Sequence, residues 1–191
     1  MILALKFLLA FLIGSIPFAK VAMFGTGIDI TKVGSGNPGF RNVSRVASWW
    51  RAAICLIGDL GKGLFAVWLL GHGETSVLAF WGLGIAAVMG HCWSPFLGFN
   101  GGKGVATTFG VLLILQPFVT LVCLPLYPIL RVIGGKLKLR QEGAIASLST
   151  AAVISAFVLI LGGAAPGALA GVMLLIVLIR HAPNLRELCA A

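Results

Sequence analysis

A short glycine-rich loop with two arginines behind it is the first place where residue types and spacing could do chemistry. Gly34, Gly36 and Gly39 fit the pattern G-x-G-x-x-G, and Arg41 and Arg45 follow. A dinucleotide site would need a preceding strand and a βαβ unit, which this apolar sequence lacks. Glycines still let backbone N–H groups turn toward an anion, and guanidinium groups supply the opposite charge. The loop also carries the polar side chains of Ser35, Asn37 and Asn42. It predicts an anion site, with a basic loop lying on lipid headgroups as the alternative.

A second candidate is the lysine in Gly101-Gly102-Lys103-Gly104. A Walker A loop is ruled out, because Leu97 stands where its first glycine belongs and Gly104 where its Ser or Thr belongs. A lysine between glycines at a helix start still combines a point charge, free amides and the positive helix end. The segment predicts a phosphate-binding loop, and the plain alternative is a topology anchor.

Two opposite charges, Asp59 and Lys62, lie within an apolar stretch and share one helix face. An unpaired charge there costs on the order of 3 kcal/mol, so the two should pair or face a wet cavity inside the bundle. A structural ion pair and a substrate-binding role are equally compatible with this spacing. His91 and His181 each lie near the end of an apolar segment and are weak signals singly.

The elements that position these residues must be membrane helices. The 191 residues have a mean hydropathy of +1.06, and only 10% are charged. An ordinary soluble protein is about a quarter charged. We therefore expect one transmembrane domain over residues 1–191, an all-α polytopic bundle with lipid as its outer solvent. Residues 1–18 lack a convincing cleavage site, and we interpret them as a retained first span.

Seven apolar segments are candidates for spans, and the fourth is short for a full crossing. They are 2–18, 52–70, 77–97, 104–116, 117–133, 144–161 and 166–180. Cations gather in the first, third and fifth loops and in the C-terminal tail, and the other connections hold none. The positive-inside rule then predicts an external N-terminus, a cytoplasmic C-terminus and functional loops on the cytoplasmic side.

The composition also limits partners and cofactors. The net charge of +9 lies between hydrophobic spans and not on one soluble face, so anionic lipid or anionic substrates fit better than nucleic acid. The four cysteines are scattered, with no C-x-x-C spacing, and indicate neither a disulfide framework nor a metal site. No cofactor and no obligate protein partner is evident.

Several short motifs taken together resemble the bacterial PlsY family, the membrane acyl-phosphate:glycerol-3-phosphate acyltransferases. They run in order along the chain: Gly14-Ser15-Ile16-Pro17-Phe18, the loop from Gly34 to Arg45, Asp59-x-x-Lys62-Gly63, Gly90-His91, Gly101-Gly102-Lys103-Gly104-Val105-Ala106-Thr107 and Arg180-His181-x-x-Asn184. The resemblance implies seven spans in the cell (inner) membrane, a cytoplasmic active site, and transfer of a fatty acyl group from acyl phosphate to the sn-1 hydroxyl of glycerol 3-phosphate.

On this resemblance we assign catalytic roles to Ser35, Arg45, Lys103 and His181. The residues assigned to substrate binding are Gly34, Gly36, Asn37, Gly39, Arg41, Asn42, Asp59, Lys62, Gly101, Gly102, Gly104, Ser147 and Asn184. The H-x-x-x-x-D motif of other glycerol-phosphate acyltransferases is absent, since Phe96 stands five residues after His91. We therefore expect direct transfer without an acyl-enzyme and without a metal, the base being the substrate phosphate or His181.

The sequence departs from the family pattern at two places. Arg41 stands where the family usually has threonine, and Phe40 where it has a small residue. The family pattern Arg-Tyr-x-Ser-x-x-Ser appears here as Gln141-Glu142-x-Ala144-x-x-Ser147. A transporter or flippase for a phosphorylated metabolite would also need intramembrane charge and glycine-broken helices, but the two halves show no evident repeat. A non-catalytic scaffold would leave the clustered Gly, Asn and Lys unexplained.

Overall fold

The computed structural model describes residues 1–190, and all regular structure in that range is helical. Two compact units divide after Ile114. The helices of the first are α1 (Ile2–Ser15), α2 (Phe18–Ala22), α3 (Phe40–Val46), α4 (Trp49–Leu70), α5 (Val77–Cys92) and α6 (Val105–Leu115), which ends one residue beyond the division. The helices of the second are α7 (Pro117–Cys123), α8 (Leu126–Lys136), α9 (Glu142–Gly162), α10 (Ala164–Arg180) and α11 (Ala182–Cys189).

Five helical stretches within residues 1–190 are long and apolar enough to cross a membrane. They are Ile2–Ala22, Trp49–Leu70, Val77–Leu97, Pro117–Lys136 and Glu142–Gly162. The pair formed by α10 and α11, bent by 62°, makes a sixth if it is counted as one span, and α6 is a shorter apolar helix. The all-α prediction is confirmed for the described residues. Each of the seven expected segments overlaps one of these stretches, and seven crossings with the expected orientation stay a prediction.

Proline divides two of the expected segments. In the first, the chain breaks at Ile16 and Pro17 between α1 and α2. In the segment expected at 117–133, Pro125 separates α7 from α8. Proline has no backbone N–H to continue the helical hydrogen bonds, whereas Pro128 lies in the first turn of α8, where none is needed. The apolar pattern of the sequence does not reveal such breaks, because the residues before and after each proline are hydrophobic.

Glycine allows α1 and α5 to pack in parallel at very close range. A methyl group added at Gly14 would lie 2.0 Å from the carbonyl oxygen of Ala87, and one at Gly90 would lie 2.0 Å from that of Phe11. At both positions the partner is backbone, which cannot move aside. This close approach fixes the register between the two helices. It also brings their C-terminal ends together, where Ser94 donates a 2.7 Å hydrogen bond to the carbonyl of Ser15.

Helix α4 packs against α6 through another glycine contact, and both helices begin at the same end of the unit. A methyl group at Gly63 would lie 2.3 Å from the carbonyl oxygen of Thr107, and one at Gly110 would lie 1.9 Å from that of Leu60. Thr107 also donates a 2.9 Å hydrogen bond to the carbonyl of Asp59. The start of α6 therefore lies beside the middle of α4.

The glycine-rich loop and the lysine loop leave the same end of the first unit. The glycine-rich loop belongs to residues 16–48, which follow the C-terminal end of α1, and residues 93–104 follow that of α5, which is parallel to α1. The opposite end holds a 2.6 Å ion pair between Lys6, early in α1, and Glu74, in the turn between α4 and α5. The loops that carry Ser35 and Lys103 therefore lie at one end of this unit, and their place on the cytoplasmic side of a membrane stays a prediction.

The second unit is built around α9, which contacts α7, α8 and α10. Gly163 makes the tight turn between α9 and α10, and its φ of +86° is one that other residues rarely adopt. Gly167 brings α10 close to α9, since a methyl group there would lie 2.5 Å from a side-chain atom of Leu159. Ser147, His181 and Asn184 belong to this unit.

Candidate active site

Asn42 holds the glycine-rich loop together from inside. Its side chain is 1% exposed, and its amide nitrogen donates to the carbonyl oxygens of Ile30 at 3.0 Å and Val33 at 2.9 Å. Its amide oxygen accepts a 2.9 Å hydrogen bond from the backbone N–H of Ser35. One side chain therefore binds three points along the loop. The structure favours a positioning role for Asn42 over the predicted direct substrate contact, because its amide faces the protein's own backbone.

Two glycines of the loop adopt conformations that favour glycine. Gly34 and Gly36 have φ values of +60° and +67°. A methyl group at Gly34 would in addition lie 2.2 Å from the amide oxygen of Asn42, whereas Gly39 has extended backbone at the start of α3. The glycines therefore shape the loop in two ways, through positive φ and through room for the buried amide.

The side chains of the loop that were assigned to catalysis or substrate binding lie toward its surface, apart from Asn42. Ser35 and Arg45 are exposed, and Asn37 and Arg41 are half-buried. Arg45 lies in the last turn of α3, the short helix that also carries Asn42. Nearby, Thr31 donates its hydroxyl and its backbone N–H to Asp29, and these hydrogen bonds lower the pKa of that carboxyl. The arrangement exposes the Ser35 hydroxyl and the Arg45 guanidinium on a segment whose backbone is held by the buried side chain of Asn42.

The lysine loop is fixed to the end of α5. The N–H groups of Gly101 and Gly102 each donate a 3.1 Å hydrogen bond, to the carbonyls of Cys92 and His91. Gly104 has a φ of +81° directly before α6 begins. Lys103 is half-buried between these fixed points, at the N-terminal end of a helix. The predicted combination of glycine backbone, lysine and helix start is therefore present.

The charged pair in α4 points into the bundle, as expected. Asp59 and Lys62 are only 3% and 5% exposed, and Lys62 Nζ lies 2.8 Å from Asp59 Oδ1. Lys62 also donates a 2.8 Å hydrogen bond to the carbonyl of Ile16, just after α1. Of the two roles left open, the structure favours the structural ion pair, because both groups already have protein partners. Their contact with substrate stays a prediction.

His91 lies beside this pair and was not among the predicted site residues. It is 7% exposed, and its Nδ1 lies 3.4 Å from Asp59 Oδ1, an ionic contact longer than a well-formed hydrogen bond. A methyl group at Gly102 would lie 2.2 Å from its Nε2. Its sequence signal was only a histidine after a glycine at the end of an apolar segment. The partner Asp59 is too far along the chain for spacing to suggest the contact.

In the second unit, the predicted site residues Ser147 and Asn184 have defined hydrogen-bond partners. Ser147 is 5% exposed, and its hydroxyl donates a 2.6 Å hydrogen bond to the carbonyl of Gly143, one turn earlier in α9. The amide of Asn184 donates at 2.7 Å to the side-chain oxygen of Gln141, whose own amide donates to Glu187. Gln141, one of the family departures, thus ties the start of α9 to α11. The substrate roles of Ser147 and Asn184 stay predictions.

The geometry of His181 fixes its tautomer. The ring is 2% exposed, and Nδ1 lies 2.8 Å from the carbonyl oxygen of Val177. A carbonyl oxygen only accepts, so Nδ1 carries the hydrogen, and the lone pair of the neutral ring is on Nε2. This is the tautomer that a base acting through Nε2 requires. The predicted role of His181 as a proton acceptor is compatible with it.

The fold and the site together define a class of protein, an all-α membrane protein that presents fixed glycine loops, a lysine and arginines at one end of its first unit. Three comparisons narrow that class. The family model for glycerol-3-phosphate acyltransferase matches residues 4–191. A glycerol-3-phosphate acyltransferase of Laribacter hongkongensis is 37% identical over 188 residues, covering 94% of this chain and 89% of the relative. One of Helicobacter pylori is 40% identical over 159 residues, covering 79% of this chain and 71% of the relative.

The solved structures agree. The crystal structure of PlsY, an integral membrane glycerol 3-phosphate acyltransferase, in its glycerol 3-phosphate form matches with a TM-score of 0.85 at 28% identity, covering 98% of this chain and 92% of that chain. The chain therefore belongs to the glycerol-3-phosphate acyltransferase family, and it is an integral membrane acyltransferase. The resemblance to the PlsY family is confirmed.

Proposed function

We propose that this enzyme transfers a fatty acyl group from acyl phosphate to the sn-1 hydroxyl of glycerol 3-phosphate, giving lysophosphatidic acid and inorganic phosphate. The acceptor is supported by the family and by the relatives, which are named glycerol-3-phosphate acyltransferases. The product is supported by a matching PlsY structure in its lysophosphatidic acid form, at a TM-score of 0.85. The donor rests on the resemblance to the PlsY family.

The observation that carries the proposal is the pair of fixed loops at one end of the first unit. Acyl phosphate and glycerol 3-phosphate are both anions, and bringing two like charges to about 4 Å costs about 4 kcal/mol at an effective dielectric of about 20. Lys103, Arg41 and Arg45 supply positive charge on loops whose backbone is held by Asn42 and by the end of α5. A preorganised cationic site offsets that repulsion without reorganising during the reaction.

The chemistry is a direct displacement. The sn-1 hydroxyl oxygen attacks the acyl carbonyl carbon, the bond from that carbon to the phosphate oxygen breaks, and phosphate leaves with the bonding electrons. The developing oxyanion is stabilised by N–H groups of residues 34–39 or by Lys103. The hydroxyl proton passes to a substrate phosphate, whose second pKa is about 6, or to Nε2 of His181. The expected location is the cell inner membrane with the reaction on the cytoplasmic face.

Purified protein in detergent tests the proposal directly. Acyl phosphate and glycerol 3-phosphate are supplied together, and phosphate release and lysophosphatidate are followed in parallel. Equal amounts of the two products support acyl transfer to glycerol 3-phosphate without competing hydrolysis of the donor. Acyl phosphate alone measures hydrolysis, and acyl coenzyme A replaces it to test the donor. Lysophosphatidate formed from acyl coenzyme A and not from acyl phosphate would overturn the proposed donor. No lysophosphatidate from either donor would overturn the proposed reaction.

A further inference from the structure

The proposed reaction leaves His91 unused, although its buried ring lies directly against the glycines that precede Lys103. The carbonyl of His91 accepts the N–H of Gly102 at 3.1 Å, and its Nε2 stands where a methyl group on Gly102 would approach to 2.2 Å. The ring and the backbone of one residue therefore limit the position of Gly102 from two directions. Gly102 is the immediate neighbour of the lysine.

The other edge of the His91 ring faces a rigid support. Asp59 Oδ1 lies 3.4 Å from Nδ1 of His91 and 2.8 Å from Nζ of Lys62, which is itself bound to the carbonyl of Ile16 at 2.8 Å. These contacts form a continuous path inside the first unit, from the end of α1 through the buried pair to the lysine loop. Every side chain in the path is at most 7% exposed.

We propose that His91 is a positioning residue, which sets the place of Gly102 and thereby of the Lys103 ammonium group toward the substrate phosphate. The inference rests on the proposed function of Lys103. Lysine is a flexible point charge, so the position of its backbone decides where that charge can reach. A misplacement of about 1 Å in an active site can lower the rate by on the order of a hundredfold. A buried imidazole against a glycine is a rigid way to prevent such a shift.

Two conservative variants separate the edges of the ring. His91→Gln places an amide near the position of Nε2 and keeps the contact with Gly102. His91→Asn places an amide near the position of Nδ1, which keeps the contact with Asp59 but leaves the space beside Gly102 empty. We expect His91→Gln to stay near wild-type activity, and His91→Asn to lose on the order of tenfold in kcat/KM, mainly through a higher KM for glycerol 3-phosphate. Equal losses in both variants, or an unchanged kcat/KM in His91→Asn, would overturn the proposal.

A compensating pair of substitutions tests the contact itself. Gly102→Ala is expected to lower activity, because the new methyl group displaces the imidazole, while its backbone has no positive φ that would exclude alanine. In the His91→Ala background the same change meets an alanine and is expected to do less harm. If Gly102→Ala is as damaging in that background as in the wild type, the proposed contact is wrong.

Thermal unfolding of the wild type and of these variants, with and without glycerol 3-phosphate, gives a readout that does not need turnover. Non-additive Tm values for the Gly102 and His91 changes support the contact, and additive values contradict it. A smaller ligand-induced rise in Tm for His91→Asn than for His91→Gln supports its effect on Lys103, and equal rises contradict it. If the wild-type protein forms no lysophosphatidate, the proposed function fails, and the Tm values still decide whether His91 positions the loop.

Discussion

At the scale of residues, the candidate site divides into side chains proposed to meet substrate and buried side chains that hold the surrounding backbone. Ser35 and Lys103 are on loops, Arg45 is in the last turn of α3, and all three are exposed or half-buried. Asn42, Asp59 and His91 are buried below them. Function is placed on loops in many proteins because a rigid scaffold can then carry variable chemistry. Here the scaffold includes buried polar side chains, which are costly to leave unsatisfied and therefore specify one loop conformation.

Lys103→Ala is expected to abolish acyl transfer while leaving a folded, membrane-inserted protein. The proposed role of the lysine is to supply charge to the substrate, and its glycine neighbours already shape the loop. Phosphate release at saturating glycerol 3-phosphate measures the effect. Lys32→Ala removes an exposed cation from the same end of the unit and serves as the control, with activity near wild type. Lys103→Arg should also be poor, because a planar guanidinium does not replace a point charge between glycines. Full activity of Lys103→Ala would remove the lysine from the site.

Gly34→Ala is expected to damage the glycine-rich loop more than a matched change at Gly25. Both glycines have positive φ, so each substitution costs about 1 kcal/mol of backbone strain. Only at Gly34 does the new methyl group reach the Asn42 amide, whereas at Gly25 no other atom lies within 4 Å. Thermal unfolding and kcat/KM measure the two variants together. Equal losses in both would mean that Asn42 does not hold the loop in the way that its hydrogen bonds indicate.

Local sequence predicted the pairing of Asp59 with Lys62 but not the roles of Asn42 and His91. The pairing of Asp59 with Lys62 could be predicted, because residues three apart on a helix are neighbours and a charge in an apolar segment needs a partner. The role of Asn42 could not, because its partners Ile30 and Val33 are reached only when the loop folds back. His91 was missed for the same reason. Residue type shows what chemistry is available, and tertiary contact decides which residue performs it.

At the scale of elements, glycine residues determine how closely and in which register these helices pack, a role that large side chains have in a soluble core. Gly14, Gly63, Gly90 and Gly110 each place a backbone carbonyl of the neighbouring helix within 2.3 Å of where a Cβ atom would be. Small residues matter at membrane helix interfaces because lipid removes most of the hydrophobic advantage of burial, so close packing must supply the association energy. The same contacts set the register of α1, α4, α5 and α6, and the register places the two loops at one end. The sequence shows where the glycines are, but not which of them contact a neighbouring helix.

Substitution of Gly90 by alanine is expected to separate α1 from α5 and to lower both stability and activity. The added methyl group would meet the carbonyl of Phe11 at 2.0 Å, and backbone cannot give way there. Gly61→Ala is the matched control, since it lies inside α4 with no atom within 4 Å of the new methyl group. Alanine is favoured over glycine in a helix interior by about 1 kcal/mol, so this control should be as stable as the wild type or slightly more stable. Thermal unfolding in detergent measures both, and a Gly90→Ala protein as stable as Gly61→Ala would contradict the packing argument.

At the scale of the whole molecule, the amino-acid composition was enough to predict most of the fold. A charged content of 10% and long apolar segments already required helices, because only helices and closed barrels satisfy their backbone in lipid. Residues such as Ile57 and Ile160 are 70% and 74% exposed, which suits a surface in contact with hydrocarbon. The charge count predicted which loops share a side, since cations concentrate between alternate spans. It could not give the division into two compact units or the bend of 62° between α10 and α11, which depend on how helices pack.

The proposed orientation can be tested with single cysteines and a membrane-impermeant maleimide on intact spheroplasts. Starting from a protein whose native cysteines are replaced and whose activity is retained, one cysteine is placed at each of three exposed positions, Lys32, Lys138 and Thr75. The first two lie in cation-rich loops and the third in a loop without Lys or Arg, so we expect Thr75→Cys to react in intact spheroplasts and the other two only after permeabilisation. Labelling after permeabilisation is the control for reactivity. Reaction of Lys32→Cys from outside would reverse the orientation, and reaction of Lys32→Cys and Lys138→Cys from different sides would mean an odd number of crossings between them, where the charge distribution requires an even one.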